Sequence, residues 1–102
     1  MADIVSVKNG VEYSKDSIVS KQLVNRNGGT VTLFAFDAGQ SLSEHTAPFD
    51  AAVQVTDGRA VISIGGKSHE LKEGELVIMP ANVPHGVNAP ERFKMVLTMI
   101  KG

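Results

Sequence analysis

The chain contains no cysteine and no tryptophan, and only 5% of its residues are aromatic. Without thiols there can be no disulfide, zinc ribbon, iron–sulfur cluster or thiol nucleophile. Any chemistry must therefore come from histidine, carboxylate, hydroxyl or backbone groups. Neither sign of charge is in excess, with 10 Lys and Arg against 11 Asp and Glu and a formal net charge of −1. No run of like charges supplies the footprint that a phosphate backbone or an anionic lipid surface requires. Neither nucleic acid nor membrane is expected as a partner. Long apolar runs are missing too, since no window approaches the roughly 18 residues of a membrane-crossing helix. The N-terminus, Met1-Ala2-Asp3-Ile4-Val5-Ser6, carries an acid and no apolar stretch, so a cytoplasmic location is the expectation. No segment holds a 3.6-residue period over the roughly 11 residues of an average helix.

What is present is a chain of 102 residues, 42% hydrophobic and 21% charged, the composition of one globular domain covering 1–102. After the break at Asn27-Gly28-Gly29, residues 30–36 alternate with a period of two. One face carries Val31, Leu33 and Ala35, and the other carries Thr32, Phe34 and Phe36. Both faces become apolar, which implies a sheet buried on two sides. Residues 51–56, Asp57-Gly58 and residues 59–64 read as strand, hairpin turn and strand. Gly65-Gly66 and Glu73-Gly74 mark further turns around strands at 67–71 and 75–80. A last strand, 93–100, places Phe93, Met95, Leu97 and Met99 on one face. Short strands spaced roughly 8–12 residues apart describe an all-β sandwich or barrel. The weakly patterned residues 1–22 form an N-terminal strand segment beside a barrel of about 23–100.

Three histidines and eleven carboxylates are the only groups with metal-binding or acid–base potential. His45 lies in a stretch running from Gly39 to Gly58, and His85 in one running from Gly74 through Pro80, Asn82 and Pro84 to Ala89. In these stretches the sequence resembles the cupin superfamily, whose fold is a double-stranded β-helix, or jelly-roll, barrel. The family's first motif falls on Gly39, His45, Ala47, Ala51 and Gly58, and its second on Gly74, Pro80, Asn82, His85 and Ala89. The resemblance implies a metal centre of three histidines and one glutamate, yet two of those four ligand positions are occupied by Ala47 and Ala51. A methyl group has no lone pair, and catalytic zinc sites normally keep three protein ligands. Glu44, Asp50 and Gln54 have the wrong strand parity to substitute, unless a bulge near Pro48 shifts the register.

The expected function is a small-molecule-binding cupin without a complete metal centre, its pocket floored by His45 and His85. Two partly buried histidines held by hydrogen bonds are the plainer reading of the same pair. Ala47, Ala51, Val53, Met79 and Met95 are the remaining candidate ligand contacts. Ala51, Val53, Met79 and Met95 could line a ligand cavity together with Val55 and Met99, although simple core filling is the plainer reading of all six. No cofactor is expected beyond a weakly bound zinc, nickel or iron ion at His45 and His85. The alternative is a metal-dependent enzyme, a small dioxygenase or isomerase, using His45, His85 and a recruited carboxylate. His69 lies outside both motifs and reads as a structural or exposed residue. A small barrel cannot bury both faces of every strand by itself, so a homodimer through an outward face around Phe34 and Phe36 is expected.

Overall fold

A computed structural model describes residues 3–101. Among the described residues, eight strands form the regular structure: β1 (Ile18–Arg26), β2 (Gly29–Phe36), β3 (Ser41–His45), β4 (Asp50–Ile64), β5 (Lys67–Lys72), β6 (Leu76–Met79), β7 (His85–Asn88) and β8 (Phe93–Ile100). Every pairing is antiparallel. One sheet runs β1-β2-β8-β4-β6, and the other runs β3-β7-β4-β5. Strand β4 belongs to both and joins them into a jelly-roll half-barrel.

Asp57-Gly58 is not a hairpin turn. Strand β4 continues through it for 15 residues, with a bulge between Val55 and Asp57 where it pairs with β8. Residues 50–58 pair with β8 across the bulge and 51–54 also with β6, whereas residues 59–64 pair with β5 and 61–64 also with β7. Gly58 has φ 72° and lies so close to the Arg92 carbonyl oxygen that a Cβ there would collide with it. The glycine therefore serves close strand approach at a bend, a role that shares its sequence signal with a turn.

The expectation of two buried faces on β2 holds, but the assignment of inside and outside does not. Phe36 is fully buried and stacks on Phe93, with ring centroids 4.5 Å apart. Phe34 lies at the edge of the same core. The opposite face, Leu33 and Ala35, is covered by the chain's own N-terminal segment, where Val11 and Tyr13 pack over it. Phe34 and Phe36 thus offer no outward surface to a second copy. Residues 3–17 contain no strand, and β1 begins at Ile18, so the expected N-terminal strand segment is mostly an irregular cover. Residues 1 and 2 lie outside the described part.

Polar anchors hold that cover in place. The Tyr13 hydroxyl donates to Asp57 Oδ2 at 2.7 Å, and burial followed by this carboxylate raises the phenol pKa. The Tyr13 ring also receives the Lys94 ammonium at 4.9 Å and the Arg92 guanidinium at 5.2 Å from its centroid, a cation–π arrangement. Lys94 Nζ donates to the Lys8 carbonyl at 2.7 Å, which satisfies a nearly buried ammonium. Arg92 Nε donates to Asp37 Oδ1 at 2.8 Å. That bond, reinforced by the backbone N–H of Asp16, lowers the Asp37 carboxyl to about 2.

Candidate functional site

The interior of the half-barrel is not completely filled. A cavity of about 220 Å³ is lined by Phe34, Leu42, Ala51, Val53, Met79, Val87, Met95, Leu97 and Met99, with His45 and His85 as its polar groups. Strand register explains why these residues converge. Met79 and Met99 are the β6 and β8 partners of Ala51, while Val53 has Val77 and Leu97 and Val55 has Met95. Residues directly opposite in antiparallel strands point to one face, so three apolar rows build one wall. From the other sheet, β3 and β7 contribute Leu42, His45, His85 and Val87.

The two histidines are direct register partners across β3 and β7. Their rings meet edge to face, with centroids 4.4 Å apart. Each Nδ1 lies against the backbone carbonyl two residues earlier, Ser43 at 2.9 Å for His45 and Val83 at 3.2 Å for His85. A carbonyl only accepts, so Nδ1 carries the proton and donates, leaving the Nε2 lone pair of the neutral ring free. His85 is buried, whereas His45 is exposed at the mouth.

The loop that presents His85 is pinned at two points. The Asn82 N–H donates to the Ala47 carbonyl at 2.8 Å, and the Ala81 N–H donates to Asp50 Oδ1 at 2.9 Å. Asn82 sits at φ 64°, the left-handed region that asparagine tolerates better than most side chains. Asparagine can therefore hold this position of the loop without a glycine.

Seven of the residues singled out from the sequence, His45, His85, Ala51, Val53, Met79, Met95 and Met99, line the cavity. Ala47 does not. It lies in the connection between β3 and β4, where strand alternation no longer governs its direction, and it contributes its carbonyl to the loop contact. Val55 is core rather than cavity wall. Phe34, Leu42, Val87 and Leu97 were not singled out as contacts, because only sheet register brings them to the site. His69 is exposed on β5.

These residues do not fit the divalent metal centre that the fold implies. The register slip does occur, but between Leu42 and His45, and it brings in no carboxylate. Asp50 accepts from Ala81, the Glu44 carboxylate takes the Ser63 hydroxyl at 3.4 Å, and Gln54 is exposed. Among the described residues, no group of three or more His, Cys, Asp or Glu side chains could hold a metal ion. Two imidazoles in an apolar chamber are short of the three-ligand sets of zinc and non-haem iron enzymes.

Residues 32–101 match the family model described as Cupin domain. A conserved protein of unknown function from Streptococcus pyogenes superposes with a TM-score of 0.93 at 33% identity, covering 100% of this chain and 90% of that one. A Cupin 2 conserved barrel domain protein from Leptotrichia buccalis superposes with a TM-score of 0.87 at 43% identity, covering 89% of this chain but 44% of that one. An uncharacterized protein of Streptomyces coelicolor is 33% identical over 64 residues, which is 63% of this chain and 61% of that protein.

Proposed function

The chain belongs to the cupin domain family, and from that premise we propose that it binds a compact, mostly apolar small molecule against the paired imidazoles of His45 and His85. The observation that carries this reading is the open-mouthed chamber, with nine apolar side chains and two histidines whose Nδ1 atoms are already committed. Each neutral ring offers Nε2 as an acceptor, so the matching ligand has an apolar body and a hydroxyl or N–H donor. Its size is limited. At about 220 Å³ the chamber falls below the roughly 300–1,000 Å³ of pockets for drug-sized ligands, which favours a monocyclic phenol or a short branched alcohol.

Thermal unfolding with phenol, p-cresol and 3-methylbutanol tests this reading. Ligand at one hundred times its dissociation constant stabilises by about 2.7 kcal/mol, which for a domain this size raises Tm by roughly 10 °C. The shift should saturate for at least one probe and disappear in Ala51→Leu, which fills the chamber. No shift with any probe, or an undiminished shift in that variant, would refute the proposal.

We also propose a homodimer, formed by a different face from the one the sequence suggested. The outer side of the larger sheet carries a register row of Ile78, Ala52, Thr98, Val31 and Val24. Its N-terminal cover spans only the Leu33 side, so Leu76, Ile78, Val24 and Ile100 stay 42–60% exposed. A two-fold contact would set this apolar row against its own copy, which is the self-complementary geometry of most dimers. Light scattering should give a dimer mass for the natural chain and a monomer mass for Ile78→Glu.

A further inference from the structure

We propose that Met99 is an oxidation site through which peroxide closes the chamber to apolar occupants, by converting its thioether to the sulfoxide. The proposal rests on the chamber of the small-molecule reading, not on the hydrogen bond to the histidines. The distribution of sulfur carries it. The chain has 4 methionines and no cysteine. Met1 lies outside the described residues, and the other three, Met79, Met95 and Met99, all line this one cavity. The oxidisable sulfur of the described chain is thus gathered in the candidate site. It is not equally accessible there. Met79 and Met95 are 4% and 2% exposed, whereas Met99 is only half-buried. Along β8, Met95 faces Val55 and Met99 faces Ala51, and the two methionines are roughly 13 Å apart at strand rise. Met99 is therefore the sulfur that an incoming oxidant meets first.

The oxidant is a peroxide small enough to enter the mouth, hydrogen peroxide or a short alkyl hydroperoxide. The Met99 sulfur attacks one peroxide oxygen, and an S–O bond forms as the O–O bond breaks. The proton of the transferred hydroxyl moves to the departing oxygen, which leaves as water or alcohol. Sulfur is oxidised, peroxide is reduced, and nothing else is consumed. The product is a polar group in place of an apolar one, and the wall cannot satisfy its oxygen. The nine apolar side chains have no donor, and both Nδ1 atoms already donate to the Ser43 and Val83 carbonyls, so the neutral histidines present only acceptors. The sulfoxide oxygen then draws water into the chamber, and that water takes the place of an apolar ligand. Half-exposure also leaves the sulfoxide open to the reductases that reverse it, which makes the change a switch.

The test treats the full chain with hydrogen peroxide, removes it, and locates the added oxygen by peptide mass spectrometry. Met99 should react roughly tenfold faster than Met79 or Met95 in the folded chain, because exposure governs susceptibility, and the three rates should converge in urea. Xenon probes the chamber without a hydrogen bond. Under xenon pressure the Ala51 and Val53 methyl resonances should shift in the untreated chain, and xenon affinity should fall roughly tenfold or more once Met99 is the sulfoxide. Methionine sulfoxide reductases of both epimer specificities should restore it. In Met99→Leu, which nearly conserves volume, xenon affinity should be the same before and after peroxide. Oxidation of Met79 or Met95 as fast as Met99, a xenon response unchanged by the Met99 sulfoxide, or an equal loss in peroxide-treated Met99→Leu would each overturn the proposal. So would an untreated chain without a xenon response, or unfolding at the first oxygen. A xenon response without any thermal shift by the phenols would remove the small-molecule reading alone and leave this one standing.

Discussion

Phe36→Ala is expected to lower the unfolding free energy by about 3–5 kcal/mol, the usual cost of truncating a fully buried phenylalanine. Phe36 is completely buried, pairs with Ile18 and Phe93 on its two neighbouring strands, and stacks on the Phe93 ring at 4.5 Å and 17°. The Phe34 ring lies 6.1 Å from it, tilted by 41°. Alanine would remove the ring from between these neighbours, and paired sheet backbones on both sides prevent the walls from closing on the void. Urea denaturation at two protein concentrations measures the effect. A core role predicts a lower midpoint with the same displacement at both concentrations. A loss below about 1 kcal/mol, or one that grows on dilution, would instead return Phe36 to an interface and contradict the packing described here.

That contrast shows where the sequence was legible and where it was not. A period of two says which residues share a face, and it grouped Phe34 with Phe36, and Leu33 with Ala35, correctly. It does not say which face is inside when both are apolar. The decision rests with residues 3–17, whose pattern is weak and whose anchors are distant in sequence, Tyr13 to Asp57 and Lys94 to Lys8. The family could be identified because glycine and proline spacing reports turns, which are local. His45 and His85 followed from the same spacing. Leu42, Leu97 and Phe34 needed strand register, a long-range property. Ala47 is a candidate only because it falls on a ligand position of the family motif, but β3 ends two residues earlier, at His45, and Ala47 does not line the cavity.

The largest single-atom effect is expected at Gly58. Gly58→Ala should cost well over 2 kcal/mol, whereas Gly66→Ala should cost about 1–2 kcal/mol, the penalty for placing a Cβ in the left-handed region. The two glycines have similar backbone angles, with φ of 72° and 84°. Their surroundings differ. A Cβ on Gly66 would meet nothing within 4 Å, but one on Gly58 would meet the Arg92 carbonyl oxygen, with the Phe93 Cα behind it at 3.1 Å. Neither obstacle is the end of a flexible side chain. Gly58 is the register partner of Phe93, so relief requires β4 and β8 to separate at the bend that joins the two sheets. Asp57, held by Tyr13, would move with it, and the loss should spread to the N-terminal cover. Paired urea titrations of the two variants isolate the collision from the backbone penalty they share. If Asp57-Gly58 were an open hairpin turn, the two alanines would cost the same, and equal losses would be evidence against the continuous β4.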